Sequence, residues 1–101
     1  MTAWAPEDAQ DLAMAKDPNV TGADLLSLAV HRDAAVRAEV AQRPDCPVGA
    51  LISLGHDHRE EVLLALIANP RTPSSVVRKL ADHRDSAVAS AAEVRLRSIV
   101  P

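Results

Sequence analysis

At 101 residues the chain is one domain at most, and with 48% hydrophobic and 25% charged residues it has the composition of a folded chain rather than a disordered one. A single aromatic residue, Trp4, leaves the core to Leu, Val, Ile and Ala, and a single cysteine, Cys46, excludes an intrachain disulfide and a cysteine-based metal site. The net charge of −3 is unevenly divided: residues 1–61 hold eleven acids against five bases (−6), and the remainder six bases against three acids (+3). Such an acidic head and basic tail suits solvated helix faces, head-to-tail contact or a charged partner.

Residues 1–6 show no basic region followed by an apolar run, and the longest apolar run, 62–68, is too short to cross a bilayer. A cytoplasmic chain without a membrane anchor is expected. The first helix is placed at 6–16, with Glu7, Asp8 and Asp11 complementing its N-terminus, as a leading cap. Beyond it Pro18, Pro44 and Pro70 fall 26 residues apart, and the chain between them repeats with that step. The step superposes Leu25, Leu51 and Val77, then Leu28, Leu54 and Leu80, then Val36, Val62 and Val88. Repeats are placed at 18–43, 44–69 and 70–98 of a single domain, 1–101.

Within each repeat two helices follow from start and stop signals. Arg43-Pro44 and Asn69-Pro70 each end a helix, because the residue before proline avoids the α region. Thr72-Pro73 reads as N-cap and first helical residue, Cys46-Pro47 takes the same place, and Thr21 to Asp24 resembles a capping box. First helices are expected at 22–30, 47–55 and 73–82, and second helices at 34–42, 59–69 and 86–98, the last closing the end of the array. Asp33, Asp57 and Asp85, in the turns between them, are each placed to cap a second helix.

The run Asn69-Pro70-Arg71-Thr72-Pro73, the Leu80-Ala81 pair and Val88, with their relatives from Arg43 and Asp17 onward, resembles the variant leucine-rich repeat family. The resemblance implies an all-α, right-handed α-α superhelix similar to HEAT and armadillo arrays, here about three helical pairs with end-capping helices. It implies a binding scaffold and assigns no catalytic residue. The cysteine-ligated iron–sulfur module of a family founder is not carried over, since only Cys46 is present.

The sharpest departure from the repeat is the run 62–68, in which every residue is apolar. With Val62 and Leu66 inward, Leu63, Leu64 and Ile67 form one stripe away from them. The matching positions are small or polar: Arg37 and Ala89 for Leu63, Ala38 and Ser90 for Leu64, Ala41 and Glu93 for Ile67. The stripe is therefore expected to be at least partly exposed, edged by Arg37 and Glu93, and to bind a partner helix or a second copy of the chain through the concave, second-helix face.

Other clusters carry less. His31-Arg32-Asp33 and His83-Arg84-Asp85 lack the asparagine and the glycine-rich loop that kinase chemistry requires, and read as turn residues. His56-Asp57-His58 offers metal-ligating groups, but adjacent turns of an array lie about 10 Å apart, too far for shared ligation, so no metal is expected. No acid, base and nucleophile converge, so the chain is expected to be no enzyme and to take no cofactor or small-molecule substrate. The leading function is a non-catalytic scaffold for protein–protein interaction or self-association. The alternative is a HEAT-like nucleic-acid module using the basic C-terminal part, which the acidic total disfavours.

Overall fold

A computed structural model describes residues 6–99; Trp4 and the N-terminal stretch read above for an export signal lie outside the described residues. Among the described residues seven α-helices follow one another: α1 (Pro6–Lys16), α2 (Ala23–Leu28), α3 (Ala34–Ala41), α4 (Val48–Leu54), α5 (Glu60–Ala68), α6 (Ser74–Leu80) and α7 (Ser86–Ile99). No strand occurs among the described residues. The second helices α3, α5 and α7 begin 26 residues apart, at Ala34, Glu60 and Ser86, in step with the prolines. The first helices α2, α4 and α6 have only 6, 7 and 7 residues, too few to persist alone. Packing holds them: Leu25, Leu51 and Val77 are fully buried, and Leu28, Leu54 and Leu80 nearly so.

The stack runs through the second helices. α1 packs on α3, α3 on α5 and α5 on α7, while α2, α4 and α6 each lie against the second helix of their own pair. The result is a slab 44 × 32 × 16 Å, whose thinness leaves one layer of core. That core is continuous and aliphatic, with Val36, Val62 and Val88, then Val40, Leu66 and Ala92, at the same two positions of successive second helices. No described helix is long and apolar enough to cross a membrane.

Several caps differ from the sequence expectation. The N-caps of α2, α4 and α6 are Gly22, Pro47 and Pro73, none with a side-chain cap bond. Thr72 instead turns back, its hydroxyl donating to the Leu66 carbonyl at 2.6 Å and satisfying the end of α5. Gly22 has φ 59°, which suits glycine, and the chain reverses there into α2.

Candidate partner-binding surface

The residue before each proline does more than stop a helix. Arg43, 8% exposed, lays its guanidinium across the end of α1 and the following loop. Its Nη1 donates to the carbonyls of Ala15 (3.0 Å) and Asp17 (2.7 Å), and its Nη2 to that of Val20 (2.8 Å). The fork also grips Asp45, through Nε at 2.9 Å and Nη2 at 2.8 Å. One repeat later Asn69, 2% exposed, donates from Nδ2 to the carbonyls of Ala41 (2.8 Å) and Arg43 (2.9 Å), which stand 26 residues after Ala15 and Asp17. Each repeat thus donates to carbonyls at the end of the previous second helix, of which those of Asp17 and Arg43 also accept the backbone N–H three residues on. The next residue in this series is Arg95, but Leu96 stands where proline would, α7 runs on, and the Arg95 Nε is buried without a partner.

The turns between first and second helices obey a second rule. The Asp33 N–H donates to His31 Nδ1 and the Asp85 N–H to His83 Nδ1, both at 3.0 Å, while each aspartate caps its helix by accepting from Ala35 N (2.8 Å) or Ala87 N (2.9 Å). The middle turn differs from expectation: Asp57 sits at the histidine's position, not the cap's, and accepts from the Arg59 N–H at 3.0 Å. The N-cap of α5 is Arg59, without a side-chain bond.

Those turn residues face the preceding second helix, 20 residues earlier. His31 Nε2 meets Asp11 Oδ2 at 2.8 Å, and Arg37 meets Asp57 through Nε at 2.7 Å and Nη2 at 3.2 Å, its Nη1 also donating to the His31 carbonyl at 2.7 Å. In the third junction the same two positions hold Leu63 and His83. This overturns the exposure expected of the apolar stripe. Leu63 is 1% exposed and Ile67 4%, both in the core. Their polar counterparts misled because the position of Arg37 is an inter-repeat contact rather than a solvent site, and Ala41, the counterpart of Ile67, is itself fully buried. Leu64 is half-buried against the core, and Glu93 is exposed on α7. Arg37 is committed to Asp57 and does not edge an open patch.

Burial pushes the Asp57 carboxyl up, but the Arg37 hydrogen bonds, the Arg59 N–H and the Arg37 charge outweigh it, and the net direction is down from 3.8. A lowered folded value means that the unfolded chain takes up the proton first. The stabilisation is complete above the unfolded value and fades as pH falls through the folded one. Asp57→Asn, which keeps one of the two acceptor oxygens and removes the charge, is therefore expected to lower stability near neutral pH and to flatten the stability-against-pH curve below about pH 4, measured by urea unfolding across an acid series.

Sequence reading did not foresee one cluster. His31 Nε2 lies 2.8 Å from Asp11 and 3.6 Å from Asp8, and the three groups are close enough to share an ion. The Asp33 N–H occupies His31 Nδ1, which places the imidazole proton on Nε2, aimed at Asp11. A metal would have to displace that proton, so the cluster is a hydrogen-bonded junction between α1 and the first turn. The carboxylate between His56 and His58 is likewise engaged, by Arg37. Cys46 is 2% exposed and its thiol is pushed up to about 11 by burial and the Asp45 charge. At pH 8 about one thiol in a thousand is then ionised. Labelling of native protein by a disulfide reagent is expected to run at least about a hundredfold slower than for a free thiol, and to accelerate in urea.

What remains accessible is distributed over both layers. Among the described residues the exposed large apolar ones are Met14, Leu26, Val30, Val48, Ile52 and Val94, of which Leu26, Val48 and Ile52 lie on first helices and Val30 in the turn after α2. Two stacked layers of short helices, joined by side chains that bind the previous repeat's carbonyls, define a helical-repeat protein. Residues 34–58 match the family model described as Leucine rich repeat variant, the helical-repeat family that the prolines and leucines of the chain resemble. No curated protein and no solved structure matches the chain.

Proposed function

We propose that the chain is a non-catalytic scaffold that binds another protein along its helical surface, with the second-helix layer as one contact face. The leucine-rich repeat variant match supports the scaffold reading, because arrays of this kind present extended faces built from many small helices. Leu63 and Ile67 support the core beneath that face. Its accessible members are Leu64, Val94 and Glu93 on α5 and α7. Capture of proteins from the source cell on immobilised wild-type chain, beside Val94→Glu and Leu64→Glu, tests the reading. A protein retained by the wild type and lost with Val94→Glu, at unchanged melting temperature, is the expected result. Equal retention by both variants removes this face from the proposal. Retardation of duplex DNA or RNA at low salt, with no protein retained, replaces the scaffold reading by the nucleic-acid one through the basic C-terminal part.

A further inference from the structure

We propose that the groove between the first helices α4 and α6 docks an acidic amphipathic segment of a partner protein; this rests on the scaffold reading and names a second face with its own chemistry. The groove holds about 270 Å³ and is lined by Ile52, Gly55, His56, Ser75, Val76 and Lys79. It exists because successive pairs pack through α3, α5 and α7, which leaves the short first helices standing apart at the edge of the slab. Ile52 is 48% exposed although it sits mid-helix, and Val76 faces it across the gap as a half-buried wall. Gly55 makes the floor: a β-carbon there would stand 3.0 Å from Val76 Cγ1 and 3.1 Å from the Ile52 carbonyl oxygen, so a larger residue would have to push the wall aside.

The apolar surface continues beyond the groove. Leu26 holds on α2 the position that Ile52 holds on α4, and Val48 lies one turn before Ile52 on α4, 49% exposed. Exposed aliphatic residues gathered on one layer of a small chain mark an interaction surface. The third repeat breaks this column with charge: Arg78 stands where Leu26 and Ile52 stand, exposed, with Lys79 beside it on the groove wall. Among the groove's lining residues the ionisable groups are Lys79 and His56, and none is acidic. On the other side of α4 a wider groove contains one carboxylate, Asp57, and Arg37 already holds it. The exposed acids of this layer, Asp24 and Asp82, lie outside both linings. A chain of net charge −3 therefore presents here an apolar slot with a cationic rim. The complement is a helix with aliphatic anchors at successive turns and carboxylates beside them, steered by charge and held by the apolar contact.

Two synthetic amphipathic peptides with the same leucine stripe, one bearing Glu and the other Lys on the polar face, distinguish the possibilities when titrated into the isotope-labelled full chain. The Glu peptide is expected to shift the amide resonances of Ile52, Gly55, His56, Val76 and Lys79. Its affinity should fall with added salt, and Lys79→Glu should weaken it about tenfold. Ile52→Asp, a change at an exposed position, should abolish it. Equal binding of the Lys peptide overturns the proposal, as do the same shifts produced by acetate alone, which would mean a small-carboxylate site. Concentration-dependent shifts without peptide overturn it in favour of a second copy of the chain. Shifts confined to Leu64 and Val94 overturn the groove and leave the scaffold reading standing, whereas failure of the capture experiment above strikes that reading itself.

Discussion

Replacing Arg43 by methionine is expected to lower stability by about 3 kcal/mol, through a reduced urea midpoint at unchanged slope. The methylene stem is kept, so the loss is that of the guanidinium alone. Three backbone carbonyls, of Ala15 and Asp17 at the end of α1 and of Val20 in the loop that follows, lose the guanidinium at once, and of these Asp17 keeps the Val20 N–H at 3.0 Å. Asp45 loses its partner too, but it is 42% exposed on its side chain and water can replace the bond. The neighbouring repeat supplies an internal control. Asn69 serves the two carbonyls that correspond to Ala15 and Asp17, so Arg43→Asn should recover part of the loss, leaving the Val20 carbonyl and Asp45 unserved. If asparagine proves no better than methionine at this position, the bonds to the previous repeat are not what stabilises the junction.

The double substitution Leu63→Glu and Ile67→Glu is expected to unfold the chain, seen as loss of the helical circular dichroism at 25 °C. Both side chains lie within the continuous core, at 1% and 4% exposure. An unpaired carboxylate at such a site costs several kcal/mol or forces its own protonation, and the whole chain has about 5–15 kcal/mol in hand. A double variant that kept its melting temperature would put these side chains in water and return them to the second-helix face. Leu64→Glu is the milder companion, because Leu64 is half-buried and its carboxylate can turn toward solvent.

The contrast shows what repetition makes legible. Local rules placed all seven helices within a few residues, since proline ends a helix wherever it occurs and aliphatic residues three or four apart must share a face. The buried columns at Leu25, Leu51 and Val77, and at Val36, Val62 and Val88, followed from the same spacing. The misreading of Leu63 and Ile67 had a definite source: polar residues in equivalent repeats were equated with exposure. In a stacked array a column can be polar because it meets the next repeat. The sequence carried the cue that tells the cases apart, for 20 residues after each polar member of that column stands a turn residue of matching character. Asp11 is followed by His31 and Arg37 by Asp57. Leu63 is followed by His83, which has no charge partner there, and the junction is filled by aliphatic carbon instead.

Other features were beyond one-dimensional reading. That Arg43 and Asn69 reach the same carbonyl positions depends on how two helix ends approach, and the residue types share little beyond an N–H donor. The role of Thr72 likewise reversed: it serves the helix behind it and not the one ahead. The groove beside Ile52 arises from what the first helices fail to cover, and no periodicity reports a gap.

The bonds made by Arg43 and Asn69 also give the array a direction in time. In the bonds to Ala15, Asp17, Ala41 and Arg43 the donor belongs to the later repeat and the acceptor to the earlier one, so in a chain emerging from its N-terminus these acceptors are made before their donors. These contacts reach 26 to 28 residues back, so each junction ties neighbouring repeats and calls on no distant segment of the chain.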